Sequence, residues 1–202
     1  MASRTKKPKS NPFAFLIQGI GIGLVILSFI ILARLFQDPL THEITYAVSK
    51  VKEEEILNPP NTDFAIVIEK IGASASIVKS VDPYNSQIYQ RALRDGVAHA
   101  KGTRLPGEGG NIFIFAHSSA DLLTAERYNS VFYLMHHLVD GDVIKVWKDG
   151  VEHDYTVREK LFVAPSDLKY LTAKSNSEQL TLMTCWPPGT TIKRLIIIAE
   201  LI

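Results

Sequence analysis

Seven short runs rich in β-branched and aromatic residues follow one another from residue 63 to the end of the chain, and they constrain the fold more than any other feature of the sequence. Each run is bounded by Gly, Pro, Asn or Asp, which is typical of β-strands. The runs are FAIVIEK (64–70), SASIVK (74–79), NIFIFAH (111–117), DVIKVWK (142–148), VEHDYTVREKLFVA (151–164), QLTLMTC (179–185) and RLIIIAELI (194–202).

One connection between these runs is a tight turn, and the others contain little helix. Asp149-Gly150 separates two of the runs and predicts a tight hairpin. Two or three helical turns fit at residues 86–93, 131–138 and 166–171. Seven or eight strands with only minor helices predict an all-β fold, a closed or nearly closed barrel.

An apolar run at residues 13–33, FAFLIQGIGIGLVILSFIILA, precedes the strands and carries no charged side chain. At about 1.5 Å per residue, a helix of this length spans a hydrocarbon core of about 30 Å. A cleaved signal peptide would have a shorter apolar region followed by small residues, whereas this run continues into ARLFQD. We therefore expect one uncleaved transmembrane anchor at residues 13–34.

The segments around the anchor predict its orientation. Residues 1–12 contain Arg4 and three lysines and predict a cytoplasmic tail, because basic flanks remain on the cytoplasmic side of a membrane. The polar residues 35–62, with VKEEE and NPPN, predict an extracellular stalk. Residues 63–202 would then form a catalytic or binding domain that faces outward from the cell membrane.

Charge and cysteine usage exclude several classes of function. The chain has 22 Lys and Arg against 21 Asp and Glu, so no basic surface argues for nucleic-acid binding. Cys185 is the single cysteine, so it is either a small buried hydrophobe or a reactive thiol. Glu108, Asp121 and Glu126 lack the dense spacing of a calcium site, and we expect no metal and no other cofactor.

Cys185 ends one predicted strand, and Arg194 begins the next. If the two strands are antiparallel neighbours, both side chains lie at the same rim of the sheet. An arginine in that position can favour the thiolate form, or it can bind the negative oxygen that develops on an acyl carbonyl under attack. The pair therefore indicates nucleophilic chemistry at this rim.

A nucleophilic thiol also needs an acid–base partner, usually histidine. His117 is the strongest of the six candidates, because it ends the apolar strand NIFIFAH where the chain leaves the sheet. His99 lies in the irregular stretch GVAHAKGTRLPG and is weaker. The others lie in the stalk, in a predicted helix or inside a strand: His42, His136, His137 and His153.

These residues resemble the sortase family of surface-protein transpeptidases. The resemblance covers residues 63–202 and rests on three motifs in order: PGEGGNIFIFAH (106–117), LTLMTC followed by Trp-Pro, and Arg194 nine positions after the cysteine. The segment GVAHAKGTRLPGEGGN and the N-terminal anchor are also similar to the family's arrangement. Asp82-Pro83-Tyr84 resembles the lid tripeptide of pilus sortases, but it follows the second strand and is interpreted as a turn. The pattern is closer to a housekeeping or class D/E-like sortase.

The resemblance implies a closed eight-stranded β-barrel and a mechanism. Cys185 would be the nucleophile, His117 the proton donor and acceptor, and Arg194 the substrate clamp and oxyanion stabiliser. The enzyme would cleave a sorting signal such as Leu-Pro-x-Thr-Gly on a secreted protein, hold the product as a thioester and pass it to an amine. The amine would belong to a cell-wall precursor peptide or a pilin lysine.

Three neighbours of the catalytic residues are candidate substrate-binding residues: Ser118, Thr184 and Trp186. Ser118 could instead cap the next turn, and Trp186 could cap the mouth of the barrel. Two other functions stay open on the sequence. One is a hydrolytic cysteine protease that releases the acyl group to water, and the other is a non-enzymatic, membrane-tethered adaptor in which Cys185 is inert.

Overall fold

The computed structural model describes residue 13, residues 18–33, residue 44, residues 57–118 and residues 131–202. The chain divides into two compact units, Met1–Thr41 and His42–Ile202. In the first unit, residues 18–33 are helical with exposed side chains. No helix among the described residues is both long and apolar enough to cross a membrane. The predicted tail, part of the predicted anchor and most of the predicted stalk lie outside the described residues.

The described part of the second unit contains eight strands, which close into a barrel in the order β1-β2-β3-β4-β7-β8-β6-β5. The predicted all-β closed barrel is therefore confirmed. The strands are β1 (Phe64–Ile68), β2 (Ala73–Val81), β3 (Val97–Ala100), β4 (Asn111–Phe115), β5 (Val143–Lys148), β6 (Val151–Val163), β7 (Gln179–Trp186) and β8 (Lys193–Leu201).

Strand β3 corrects the interpretation of the stretch around His99 as irregular. It pairs parallel with β2 and antiparallel with β4, so that Ala98 lies level with Phe115. All four of its residues are buried. A strand buried on both faces shows no polar–apolar alternation in its sequence. This strand is also too short to form a recognisable apolar run, so neither sequence signal of a strand is present.

The predicted hairpin between β5 and β6 is confirmed. Lys148 pairs with Val151 across it, and both central residues have positive φ, 51° at Asp149 and 83° at Gly150. Two consecutive positive φ values are the signature of the type I′ turn, whose twist matches that of the flanking strands. The tripeptide at Asp82 is also a turn, in which the Asp82 carboxylate accepts the Tyr84 N–H at 2.9 Å.

One α-helix, α1 (Ser86–Asp95), and three short 3-10 helices lie in the connections of the described barrel. The side chain of Asn85 caps α1 by accepting the Ile88 N–H at 3.3 Å. The helix packs on β2 and β3 and buries Ala92 and Leu93. It ends at Gly96, where a Cβ atom would lie 2.2 Å from the Ser76 carbonyl oxygen, so that only glycine fits. The 3-10 helices are Glu69–Ile71, Tyr133–His137 and Leu168–Tyr170.

Glu178 fixes the glycine-rich loop that leads into β4. Its Oε2 accepts the N–H groups of Gly107 at 2.9 Å and Gly109 at 3.1 Å, and its Oε1 accepts the hydroxyl of Tyr155 at 2.6 Å. Tyr155 is fully buried, and burial together with the Glu178 carboxylate raises the pKa of the phenol, which remains a donor. The carboxylate therefore joins the loop to strand β6.

We expect Glu178→Ala to lower the free energy of unfolding by about 3 kcal/mol, because three donors lose a charged acceptor and one of them is buried. Chemical denaturation measures the change. Glu178→Gln keeps one carbonyl acceptor and should lose less. Glu159→Ala, at an exposed position of β6, should stay within about 0.5 kcal/mol of the parent. Equal losses for Glu178→Ala and Glu159→Ala would contradict this role.

Candidate active site

Cys185 and Arg194 lie directly opposite each other on neighbouring strands. Strands β7 and β8 are antiparallel, and their register makes these two residues Cα partners. Side chains of directly opposed residues project from the same face of a sheet, with Cβ atoms about 5 Å apart. Cys185 is half-buried at this edge of the barrel. The structure thus places the two predicted residues side by side on one face of the sheet.

His117 reaches the same face from strand β4. This strand runs parallel to β7, with Phe115 level with Met183. The Ala116 N–H donates to the Met183 carbonyl at 3.1 Å, which carries the pairing past the end of β4. Continuing the same register places His117 level with Cys185, and the two-residue period of a strand puts both on the face that Phe115 and Met183 occupy.

Asn111, from the GGN motif, fixes the register between β4 and β7. The Thr181 hydroxyl donates to Asn111 Oδ1 at 2.7 Å, and both residues are buried. Asn111 Nδ2 in turn donates to the Tyr170 carbonyl at 2.9 Å. A slip of one residue would turn His117 to the other face of the sheet, so this buried network also sets the position of the histidine.

Arg194 is held at the rim by the loop between β7 and β8. Its Nη1 donates to the carbonyls of Thr191 at 3.3 Å and Lys193 at 3.2 Å. A guanidinium carries five N–H donors in a planar fork, so the Nη2 and Nε groups add donors for an anionic oxygen. This arrangement supports a role in binding negative charge beside Cys185.

The three predicted substrate-binding residues occupy different environments. Thr184 is buried and donates its hydroxyl to the Ala116 carbonyl at 3.0 Å, so it ties β7 to β4. Ser118 is also buried. Trp186 lies on the face opposite to Cys185, with its ring 5.3 Å from Phe162. Their roles in substrate binding stay predictions.

Two contacts near the site have no sequence signal that would have found them. The ring of His136, in the 3-10 helix Tyr133–His137, lies 4.9 Å from Trp186, which follows the cysteine. The side chain of Gln90, on α1, lies 3.2 Å from the imidazole of His117. Among the described residues, no group of His, Cys, Asp and Glu is arranged to hold a metal ion.

His99, the weaker candidate, is a buried structural residue. Its Nδ1 accepts the Ser80 N–H at 3.3 Å, and its Nε2 lies 2.9 Å from the Arg104 carbonyl, to which it donates. Burial lowers the pKa of His99 below its usual value, and the bond to Arg104 only partly opposes this effect. The neutral ring therefore holds β3 to its neighbours.

This burial makes the stability of the barrel depend on pH. We expect the free energy of unfolding to fall as the pH drops below about 6.5, because the unfolded chain binds a proton that folded His99 resists. One such proton contributes a slope of at most about 1.4 kcal/mol per pH unit. Denaturant titrations across this range should show a smaller slope for His99→Gln than for the parent. His153→Gln, on strand β6, is the control, and an unchanged slope for His99→Gln would contradict the expectation.

A thiol, an imidazole and a guanidinium on one face at one end of a barrel are the groups that cysteine-dependent acyl transfer requires. The comparisons with known proteins agree with this class. The sortase domain family matches residues 66–202, and the chain belongs to the sortase family. It is 29% identical to Sortase D of Bacillus subtilis (strain 168) over 133 residues, which are 64% of this chain and 59% of that relative. The match therefore spans less than two thirds of the relative's length.

Solved sortase structures share the same fold. A lid mutant of Sortase A from Corynebacterium diphtheriae is 27% identical with a TM-score of 0.57, and 70% of each chain is covered. A Sortase D5 transpeptidase from Clostridium perfringens is 25% identical with a TM-score of 0.55, covering 80% of this chain and 94% of that one. The Sortase D relative is consistent with the class D/E-like pattern of the sequence.

Proposed function

We propose that the chain is a membrane-anchored cysteine transpeptidase that moves a protein acyl group from a sorting signal to an amine. The observation that carries the proposal is the register: Cys185 is the cross-strand partner of Arg194, and the parallel pairing of β4 with β7 leads His117 to the same level. Family membership supports the same chemistry.

In the first step, the sulfur of Cys185 attacks the carbonyl carbon of the scissile peptide bond. The oxygen gains negative charge, which Arg194 stabilises. The carbon–nitrogen bond then breaks, the leaving amine takes a proton from the His117 imidazolium, and a thioester remains on the sulfur.

In the second step, an acceptor amine attacks the thioester carbonyl. The amine gives a proton to His117, the carbon–sulfur bond breaks, and a new amide forms while the sulfur leaves as the thiolate. The thioester keeps the acyl group activated, so no external energy source is needed. Which acceptor reaches it decides between aminolysis and hydrolysis.

We further propose a Leu-Pro-x-Thr-Gly-like signal on secreted proteins as the donor, with a cell-wall precursor peptide or a pilin lysine as the acceptor. The apolar residues 13–34 would anchor the enzyme in the cell membrane with the barrel outside. The exposed apolar side chains of helical residues 18–33, such as Leu24 and Phe29, support an anchor at this position. Protease protection of the barrel in intact cells would contradict it.

The test is intact-mass spectrometry of the full chain in mild detergent with a pool of Leu-Pro-x-Thr-Gly-type peptides. We expect an acyl adduct that maps to Cys185 and is discharged by an added amine with formation of the amide product. An adduct that water discharges equally well with and without amine would favour the hydrolytic alternative. No adduct across the pool, with an iodoacetamide rate at Cys185 equal to that of a free thiol, would overturn the proposal.

A further inference from the structure

Helix α1 places a polar side chain against the predicted catalytic histidine. Gln90 Oε1 lies 3.2 Å from Nε2 of His117. An amide carbonyl oxygen can only accept a hydrogen bond, so Nε2 of the ring must carry the proton in this contact. The contact therefore selects one of the two neutral tautomers of His117.

The helix that carries Gln90 is held firmly against the barrel. Asn85 caps its first turn, Ala92 and Leu93 are buried, and the ring of Tyr89 packs edge-on against Phe115 at 6.2 Å. Phe115 lies two residues before His117 on the same face of β4. Since Tyr89 and Gln90 are adjacent, the packing of the first fixes the position of the second relative to the imidazole.

We propose that Gln90 is a positioning residue that holds His117 as the Nε2–H tautomer and so assigns proton transfer to Nδ1. A neutral imidazole has one donor and one acceptor nitrogen. With the Nε2 proton engaged by Gln90, the nitrogen that takes and gives the transferred proton is Nδ1. Fixing the ring also keeps it in one orientation for both steps of the reaction. The kinetic part of this inference rests on the proposed transpeptidase function, whereas the tautomer does not.

The described elements around His117 carry charged and titratable groups of both signs. Strands β7 and β8 contribute Cys185, Lys193, Arg194 and Glu200, strand β3 contributes His99, and helix α1 contributes Tyr89, Arg91, Arg94 and Asp95. The Gln90 amide is itself neutral, so its contact with the imidazole adds no charge to the site.

The first experiment is ¹⁵N NMR of the full chain labelled at histidine, with the His117 resonances assigned by their loss in His117→Gln. The neutral parent is expected to show a protonated Nε2 and an unprotonated Nδ1. Gln90→Leu should lose this preference and give a mixture of tautomers. A protonated Nδ1 in the parent, or an unchanged tautomer in Gln90→Leu, would overturn the inference, and neither result requires that a substrate be known.

The second experiment measures thioester formation and transfer for the same variants. Gln90→Leu should lower kcat about 10-fold with KM nearly unchanged, because the ring is still present but poorly oriented. Gln90→Glu keeps the acceptor oxygen and should recover most of kcat. It should also move the limb of the pH profile that His117 controls to higher pH, because a carboxylate favours the imidazolium.

Gln87→Leu is the matched control, since Gln87 is an exposed glutamine on the preceding turn of the same helix. It should leave the tautomer, kcat and the pH profile as in the parent. If Gln87→Leu and Gln90→Leu lower kcat equally, the effect belongs to the helix and the positioning role is wrong. If the parent itself transfers no acyl group, the proposed function fails while the tautomer measurement still decides the inference.

Discussion

Cys185→Ala is expected to abolish acyl transfer, lowering kcat/KM by at least about 10⁴-fold. The physical reason is that the reaction needs a nucleophile at the rim that Arg194 and His117 share, and alanine has no atom that can form an acyl bond. Cys185 is the single cysteine of the chain, so no second thiol can replace it. The measurement is the rate of amide product formation, with the intact mass of the enzyme recorded in the same reaction.

Cys185→Ser and the stability of both variants provide the controls. Cys185→Ser keeps the shape of the side chain and tests whether sulfur chemistry is required, and we expect it to be almost as impaired because a serine hydroxyl is a poor nucleophile without strong activation. Both variants should unfold at the same denaturant concentration as the parent. An alanine variant with activity within about 10-fold of the parent, or with an acyl adduct at another residue, would remove Cys185 from the mechanism.

The barrel could be predicted from the sequence because most of its strands carry their own local signal. Seven apolar runs correspond to strands of the structure, and the Asp149-Gly150 turn has the two positive φ values that its residues favour. Strand β3 could not be found in this way. Its four residues are buried on both faces between β2 and β4, so neither alternation nor length distinguishes it from a loop.

The pairing of Cys185 with Arg194 could also be predicted from the sequence, because the two strands are consecutive and joined by a short turn. His117 could be predicted as a site residue on a weaker signal, which is its position at the end of an apolar strand. The contacts of Gln90 with His117 and of His136 with Trp186 join residues far apart in the chain. They depend on how a helix and a 3-10 turn dock on the barrel, which no local pattern encodes.

Arg194→Ala is expected to lower kcat for thioester formation about 10³-fold, the upper range for loss of an oxyanion donor. Arg194 is the cationic residue opposite Cys185 on the neighbouring strand, and the charge on the attacked carbonyl oxygen develops only in the transition state. Its loss should therefore reduce kcat more than it raises KM. Single-turnover measurement of adduct formation at Cys185 separates this step from later transfer to the amine.

Lys193 provides the matched control for charge, because it is the adjacent cation on β8 but pairs with Trp186 and so projects from the other face. Lys193→Ala removes the same charge one residue away and leaves the backbone carbonyl that Arg194 contacts, so its rate should stay within about 3-fold of the parent. Arg194→Lys keeps the charge without the planar fork and should recover only part of the loss. If Lys193→Ala and Arg194→Ala lower the rate equally, the positive charge of the rim acts only as a general electrostatic field and not through a specific contact of Arg194. A large loss confined to Arg194 would instead tie the effect to the residue that shares its face with the sulfur.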